Sequence, residues 1–258
     1  MAARSRARRW AKRIGIGVGL VIGVVVVVLL VAALVLHRPR PRGVRTPAAD
    51  ALAHRFEEAV NKQAWDRTKA IRWTAPGGRH HLWDRERDRA RVRWSDVTVL
   101  LRLGDRSGRA WEAGREAHGE RRRELLDDAY AIWINDSYWL NPIVKLFDDG
   151  VMRRIVRTED GRDALLVTYR SGGLTPGDSY LWIPSRASSG LPEAWRMWVS
   201  IIPVGGLRVS WEGWRTLSTG ARVSTTHSFD PIPVTMHLGD VRGTESIDTL
   251  EPGAFTRL

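Results

Sequence analysis

The stretch that decides the fold is RARVRW at residues 89–94, followed after two residues by VTVLLRL at residues 97–103. Arginines alternate with apolar residues in the first part, which is the period of a strand with one face in water and one in a core. The sequence GDRSG at residues 104–108 predicts a turn, and a further short strand follows through Ala110 and Trp111. These patterns predict hairpins of an antiparallel sheet.

Helical patterns lie on either side of these strands. Leu52, Phe56 and Val60 share one helical face behind Asp50, a candidate N-cap. A second helical pattern covers residues 119–147 and is divided or ended by Pro142. Its apolar face consists of Leu125, Leu126, Ala129, Ile132 and Trp133.

Strand patterns resume after Gly150, separated by clusters of Gly, Pro and Ser. They cover residues 151–158, 164–170, 179–183, 193–200, 207–217, 221–229 and 241–248. The order of helix, hairpins, helix and long meander predicts an α+β domain, with one extended and curved antiparallel sheet covered by helices.

Residues 14–36, IGIGVGLVIGVVVVVLLVAALVL, contain no charge. As a helix they would reach roughly 34 Å, which is enough to cross a hydrocarbon core of about 30 Å. Six cations precede the run and four follow it, so the positive-inside rule favours a cytoplasmic N-terminus. We expect a single-pass inner (cytoplasmic) membrane protein whose C-terminal domain lies in the periplasm or outside the cell. The alternative is a cleavable signal peptide, but its apolar core would be shorter.

This anchor defines the domain organisation. Residues 1–13 form a basic cytoplasmic N-terminus, 14–36 the transmembrane helix, 37–47 a stiff Pro- and Arg-rich tether, and 48–258 the exported domain. Within the anchor, small residues recur every four positions and would allow close packing of a second helix. A homodimer through these residues is a second expectation: Gly15, Gly19 and Gly23.

The excess positive charge belongs to the N-terminal segment. Residues 1–45 contain ten cations and no acid, so the rest has 41 − 10 = 31 cations against 29 acids. A domain with a net charge of +2 lacks the electrostatic signature of nucleic-acid binding, and we expect none. The chain has no cysteine, which excludes disulfides, thiol catalysis, thiolate metal sites and an N-terminal lipidated cysteine.

The chain contains thirteen tryptophans. Strand alternation could place several of them on one face of the sheet, with other apolar residues between them. One interpretation is a packed aromatic core. The other is a preformed apolar groove, held open by stiff rings, that binds a ligand. The residues of the predicted ligand-binding face are Trp83, Trp94, Leu101, Tyr180, Trp182, Trp198, Val209 and Trp211.

Five segments carry a family resemblance: HHLWDR at 80–85, WINDSYWL at 133–140, GLTPGDSY at 173–180, GLPEAW at 190–195 and WEGW at 211–214. Together they resemble uncharacterised exported bacterial proteins related to the LolA and LolB lipoprotein-carrier superfamily. The resemblance implies a half-open antiparallel barrel, a helix near residues 129–140 as a lid, and acyl chains of lipid or lipoprotein as ligand. No acyl-binding residue of the carriers matches a position here.

The chain departs from both carriers, because LolA is soluble and LolB is held by a lipidated cysteine. An anchored carrier, acceptor or chaperone therefore suits it better than a shuttle, and an envelope-stress sensor of the same fold is the alternative.

We expect no enzyme, and therefore no catalytic residue, metal ligand or cofactor. His80 and His81 lie near Asp84, but adjacent strand residues point to opposite faces, so at most one histidine could join Asp84. Pairing of Asp84 with Arg85 or Arg87 at a turn is the favoured interpretation. Asn135-Asp136-Ser137 has the spelling of a glycosylation site in an aromatic setting unsuited to modification. No hydrolase, zinc-protease or phosphate-loop motif occurs, although a hydrolase with a site assembled from distant strands remains an alternative.

Overall fold

The computed structural model describes residues 34–171 and 175–258. The predicted anchor and its glycines, Gly15, Gly19 and Gly23, lie outside this range except for residues 34–36. Among the residues described, no helix has both the length and the apolar character needed to cross a membrane.

Residues 34–36 are helical, and four α-helices and one short 3-10 helix lie entirely within the described part of the chain. They are α1 (Pro47–Ala59), α2 (Lys62–Arg67), α3 (Gly119–Leu140), the 3-10 helix (Pro142–Lys145) and α4 (Ile247–Leu250). The strands are β1 (Ala70–Ala75), β2 (Arg79–Asp84), β3 (Arg89–Trp94), β4 (Val97–Arg102), β5 (Gly108–Glu112), β6 (Arg115–Glu116), β7 (Val151–Arg157), β8 (Asp163–Tyr169), β9 (Ser179–Pro184), β10 (Pro192–Trp198), β11 (Leu207–Ser210), β12 (Arg215–Thr216), β13 (Arg222–Val223), β14 (Thr226–Asp230), β15 (Val234–His237) and β16 (Gly239–Thr244).

The strands form two open antiparallel sheets of seven strands each. Sheet 1 has the order β16-β1-β2-β3-β4-β5-β6, and sheet 2 has the order β15-β14-β11-β10-β9-β8-β7. The small pair β12-β13 is separate. The α+β class and the antiparallel pairing are confirmed, but the expectation of one extended sheet is wrong. The 22-residue helix α3 lies between β6, at the edge of sheet 1, and β7, at the edge of sheet 2. The strands that follow α3 therefore form a second sheet, apart from β16 and the pair β12-β13.

The predicted local elements largely agree with the structure. The hairpin β3-β4 pairs Arg89 with Arg102 and Trp94 with Val97. Leu52 and Phe56 on α1 are buried, as expected from their spacing. Asp50 is not the N-cap, because α1 already begins at Pro47 with Thr46 as its N-cap and Asp50 lies in the first turn. Proline lacks an N–H and has a helical φ, so it is well suited to begin a helix.

Helix α3 bridges the inner faces of the two sheets. In its N-terminal half Leu125, Leu126 and Ala129 are buried against Val92, Val99 and other residues of sheet 1. In its C-terminal half Tyr138 and Trp139 pack on the core of sheet 2. The 3-10 helix that follows is also buried there, through Ile143. The helix therefore covers part of both sheets.

The C-terminal segment covers the outer face of sheet 1. Ile247 and Phe255 join a buried cluster with Leu82, Leu100 and Trp111. Arg91 donates two hydrogen bonds to Glu251, at 2.6 and 2.9 Å. The predicted cationic face of β3 is thus only partly in water: the side chain of Arg91 is 19% exposed, since the C-terminal segment lies over it.

The outer face of sheet 2 is covered by the predicted tether. Arg38 N–H donates to the Gly205 carbonyl at 2.8 Å, and Trp198 Nε1–H donates to the Arg38 carbonyl at 2.7 Å. Further along, Val44 and Ile155 exchange two backbone hydrogen bonds of 2.8 Å, which adds an isolated bridge at the edge strand β7. Residues 37–44 are therefore fastened to the domain along their length.

Candidate functional site

An aromatic platform occupies the inner face of sheet 2. Trp195 on β10 lies opposite Trp182 of β9 on one side and Val209 of β11 on the other. The ring centroids of Trp182, Trp195 and Trp211 are 4.8 to 5.0 Å apart, and all three side chains are buried. Tyr180 extends the platform, with its ring 4.6 Å from that of Trp195. We use the name aromatic platform for Tyr180, Trp182, Trp195, Val209 and Trp211.

Helix α3 places two large rings directly on this platform. The Tyr138 ring stacks on Trp195 at 5.9 Å and lies 5.3 Å from Tyr180. The Trp139 ring lies 5.1 Å from Trp195 and 6.4 Å from Trp211. These two side chains fill the space above the platform, in the position where the resemblance predicted a lid.

The predicted ligand-binding face is divided in the structure. Tyr180, Trp182, Val209 and Trp211 lie together on the platform. Trp83, Trp94 and Leu101 lie on the inner face of sheet 1, in a cluster beneath the N-terminal half of α3. The expected common face of all eight residues is therefore wrong, because they belong to two separate sheets. Their role in ligand binding stays a prediction.

Trp198 is placed on the wrong side by the prediction. It pairs with Ser179 and packs with Leu166 and Leu181 on the outer face of sheet 2. Trp195 and Met197 are the inward residues of β10, and Trp198 has the same parity as the half-exposed Arg196. The alternation of Trp195, Arg196 and Met197 was the signal in the sequence that identifies the inward side.

A buried ion pair joins α3 to sheet 1. Asp136 of α3 accepts hydrogen bonds from Arg79 Nε and Nη2 of β2, at 2.7 and 2.8 Å, and from His81 Nε2 at 2.8 Å. Asp136 and His81 are both buried. The His81 ring also stacks on Trp73 at 4.5 Å. We call Arg79, His81 and Asp136 the α3 latch.

The charge state of the latch follows from its hydrogen bonds. Burial opposes ionisation of Asp136, but the hydrogen bonds from His81 and Arg79 outweigh it and lower the pKa of this carboxyl. Burial lowers the pKa of His81, in spite of its bond to Asp136. The latch therefore holds an ionised Asp136 against the Arg79 cation, with a neutral His81 donating through Nε2–H.

The latch also changes the interpretation of the histidine-rich segment. Asp84 pairs with Arg89 at 2.8 Å and Arg87 at 3.4 Å, and neither histidine joins it. The pairing with Arg87 is confirmed, whereas Arg85 instead lies over the ring of Trp65. Within residues 34–171 and 175–258 no group of three His, Cys, Asp or Glu side chains could hold a metal ion. Asp136 was missed from the sequence because it was considered only as part of a glycosylation motif.

The expected preformed groove is not open in the structure. Two clefts on the described surface have volumes of about 510 and 170 Å³. Arginines line both, and no aromatic residue lines either. The rings of α3 and sheet 2 instead form a packed aromatic core, the other interpretation of the tryptophan content.

Several polar atoms of this core have no hydrogen-bond partner among the described residues. They include the indole nitrogens Nε1 of Trp182, Trp195 and Trp211. Buried donors of this kind are usually paired, since leaving them unpaired costs about 1–3 kcal/mol each. Three buried indole N–H donors of the platform therefore lack an acceptor among the described residues.

His227 lies under the Trp139 and Trp211 rings, at centroid distances of 5.4 and 4.4 Å. Its Nδ1 is 3.2 Å from the Ser210 carbonyl oxygen, so a neutral ring that is protonated at Nδ1 donates to this carbonyl. Burial lowers the pKa of His227 to about 4, with the bond to Ser210 partly opposing the shift. The ring is therefore neutral near pH 7.

Acidification is expected to destabilise the domain through His227. The unfolded chain binds a proton near pH 6.5, whereas the folded chain resists it until about pH 4. The stabilisation is thus fully present above about pH 6.5 and is lost as the pH falls to about 4, by up to about 3 kcal/mol. Denaturant unfolding at a series of pH values measures this slope.

His227→Asn removes the titration and keeps a donor for Ser210, so it should flatten the slope between pH 6.5 and 4. Part of the pH dependence of the unfolding free energy should remain in this variant, because burial lowers the pKa of His81 as well. The exposed His80 supplies the control His80→Asn, which replaces a histidine outside the buried aromatic core. An unaltered slope in His227→Asn would show that His227 already titrates normally in the folded chain.

The fold and the site define an α+β protein with a helix-covered aromatic sheet and no metal cluster among the described residues. No protein-family model matches the chain, and no curated protein matches it significantly.

Three solved structures are similar to the chain at low identity. A DUF1329 family protein from Desulfovibrio piger is 11% identical, with a TM-score of 0.43, over 83% of this chain and 100% of that one. A LolA superfamily protein from Nitrosomonas europaea is 12% identical, with a TM-score of 0.35, over 78% and 96%. A domain named as an outer membrane lipoprotein-sorting protein, from Vibrio parahaemolyticus, is 8% identical, with a TM-score of 0.35, over 79% and 98%. These low-identity neighbours include LolA superfamily structures, in keeping with the resemblance expected from the sequence, and no residue role is transferred from them.

Proposed function

We propose that the chain is a membrane-anchored binding protein for lipid or lipoprotein acyl chains in the bacterial cell envelope, acting as a carrier, acceptor or chaperone. The proposal includes the anchor at residues 14–36, with a cytoplasmic N-terminus and the domain in the periplasm or outside the cell. Helix α3 would act as a movable cover, and the acyl chain would take the place of its rings on the aromatic platform.

The observation that carries this proposal is the position of Tyr138 and Trp139. Two adjacent aromatic residues of one helix pack on an apolar surface built by another part of the chain, from side chains of β9, β10 and β11 and from Trp211. An acyl chain is apolar and flexible, so it can replace such rings without any specific polar partner. The surface is also larger than the two rings, since Tyr180, Trp182, Trp195 and Trp211 all contribute to it.

The energies are compatible with reversible binding. Burying an acyl chain of about sixteen carbons gains roughly 12 kcal/mol, at about 0.8 kcal/mol per methylene. Uncovering Tyr138 and Trp139 costs roughly 5 kcal/mol, at about 1.5–3 kcal/mol for each large apolar side chain. The remaining ~7 kcal/mol is further reduced by ordering of the chain, which gives micromolar or weaker affinity. The unused indole N–H donors could then bind ester or carboxyl oxygens of the ligand.

Contact between lipid chains and Trp195 tests the proposal. The full chain is placed in bilayers of ordinary or chain-brominated phosphatidylcholine, since bromine quenches indole emission only at close range. The difference in emission between the parent chain and Trp195→Phe reports Trp195 itself. We expect this difference to fall in brominated bilayers, because acyl chains enter beneath α3.

Trp111 provides the matched control for this measurement. It is buried, but beneath the C-terminal segment on the outer face of sheet 1. The emission difference between the parent and Trp111→Phe should be the same in both bilayers. Equal emission of Trp195 in both bilayers would contradict acyl-chain binding and would favour the envelope-stress sensor or the hydrolase alternative.

A further inference from the structure

The loop between β10 and β11 forms hydrogen bonds with the residues that follow the uncharged run. The run stops at Leu36, and the next residue, His37, accepts a hydrogen bond at Nδ1 from Gly205 N–H at 3.1 Å. Arg38 N–H donates to the Gly205 carbonyl, 2.8 Å away. We call residues 199–206 the hairpin tip. The tip is therefore fixed next to the end of the predicted membrane segment.

Two glycines make this close approach possible. A Cβ at Gly205 would lie 2.6 Å from Trp198 Cδ1 and 3.2 Å from His37 Cε1. A Cβ at Gly206, which has a φ of +81°, would lie 2.6 Å from Arg38 Cβ. Real Cβ atoms essentially never come within 3.0 Å of such atoms, so the two 2.6 Å distances exclude a side chain, and the φ of Gly206 is strained for other residues. Gly205 and Gly206 thus form a close-packing site, called the seat, for His37 and Arg38, which follow the uncharged run.

The hairpin tip exposes apolar side chains. Ile201 is 74% exposed, and Leu34 and Val35 next to the seat are 77% and 76% exposed. A single exposed isoleucine is common on soluble proteins and indicates little by itself. Its position is informative here, because the tip, Leu34 and Val35 all lie close to His37.

An arginine-lined cleft lies further along the same outer face of sheet 2. It has a volume of about 510 Å³ and is lined by Arg40, Pro41, Arg42, Gly43 and Arg154. No acidic residue lines it. Arg40 donates to the Ser179 hydroxyl at 3.0 Å, and among the residues described neither Arg42 nor Arg154 forms an ion pair. Guanidinium groups bind phosphate oxygens through two parallel hydrogen bonds, so this cleft suits a phosphate group.

We propose that the outer face of sheet 2, together with residues 37–44 packed on it, faces a bilayer containing anionic phospholipid, with headgroup phosphates in the arginine cleft and Ile201 in the interfacial layer. This inference rests on the anchor of the proposed function. It adds an orientation, since a free tether would leave the domain without a fixed face toward the membrane.

A fluorescent label at the hairpin tip tests the orientation. The chain has no cysteine, so an environment-sensitive thiol label on Ile201→Cys reacts at one position. The full chain is reconstituted in phosphatidylcholine bilayers with or without phosphatidylglycerol. We expect blue-shifted emission that increases with phosphatidylglycerol. Ser188→Cys is the matched control, because it is exposed in the loop at the opposite end of β10 and should show no shift.

The arginine cleft is tested with Arg42→Gln/Arg154→Gln in the Ile201→Cys chain. Each arginine near an anionic surface changes the contact equilibrium roughly five-fold, so the pair should reduce contact about 25-fold, and only with phosphatidylglycerol present. Equal emission in the two bilayers, or an equal shift at Ser188, would overturn the orientation.

Binding of inorganic phosphate by the same arginines, with bilayer contact unchanged in the double variant, would assign the cleft to a soluble anion and also overturn the proposal. The result is separable from acyl-chain binding. A shifted label at Ile201 combined with an unquenched Trp195 would remove the proposed function and retain the orientation.

Discussion

Replacing Trp195 with alanine is expected to lower the free energy of unfolding by about 4 kcal/mol, within the range of about 3–5 kcal/mol for aromatic truncations in a core. Trp195 is fully buried, and its ring contacts the rings of Trp182 and Trp211 on the sheet and Tyr138 and Trp139 on α3. The substitution leaves a cavity at the centre of these four rings. Denaturant unfolding of the full chain in detergent measures the loss.

Trp198→Ala is the contrasting variant, three residues further along the same strand. Trp198 lies on the outer face, half-exposed, with its indole N–H donated to the Arg38 carbonyl. Its truncation should cost about 1–2 kcal/mol, from one hydrogen bond and partial burial. A larger loss for Trp198 than for Trp195 would contradict the assignment of inner and outer faces.

Asp136→Ala is expected to cost about 3 kcal/mol, because it breaks the α3 latch and leaves polar groups buried without a partner. His81 is fully buried and would lose the acceptor of its Nε2–H, while Arg79 is one-third exposed and can partly return to water. This residual exposure places the loss at the lower end of the range for broken buried pairs, about 3–5 kcal/mol.

Asp128→Ala is the matched control on the same helix. Asp128 is exposed, so its loss should change the free energy of unfolding by no more than about 0.5 kcal/mol. A double-mutant cycle with Arg79→Gln should show coupling between Arg79 and Asp136. Equal stability of Asp136→Ala and Asp128→Ala would mean that the latch does not hold α3 to sheet 1.

The latch and the platform divide the contacts of α3 between two kinds of interaction. Directional hydrogen bonds join Asp136 to β2, whereas Tyr138 and Trp139 meet sheet 2 through ring faces. Ring faces tolerate displacement by another apolar surface, but the buried ion pair does not tolerate loss of one partner. We therefore expect the cover to open at the platform while the latch keeps α3 attached to sheet 1.

Local patterns in the sequence predicted the elements well. Alternation of arginines and apolar residues at 89–94 identified β3, and Pro142 marked the end of α3. The arrangement of the strands in two sheets was harder to predict from the sequence. A period of two identifies the two faces of a strand, but not the sheet to which the strand belongs. For this reason Trp83 and Trp182 were expected together, although they lie in different sheets.

The residues of the candidate site were likewise predictable where local patterns identify them, but not where they depend on how the elements pack. Tyr180, Trp182, Val209 and Trp211 were identified from alternation, and they do meet on one surface. Trp139 and His227 were missed, because their proximity depends on how α3 and β14 pack and not on any spacing along the chain. Asp136 could have been recognised from physics alone, since an acid within an apolar aromatic helix requires a buried partner.

The most direct test of the central claim is how deeply lipid chains reach the aromatic platform. Bilayers with bromines either near the headgroup or near the chain end are compared, with the emission difference between the parent chain and Trp195→Phe as the readout. If acyl chains replace Tyr138 and Trp139 beneath α3, bromines on the chain quench Trp195 while Trp111 is unaffected. If Trp195 emission is the same with every bromine position and in ordinary lipid, the platform is a permanent core and the account is wrong.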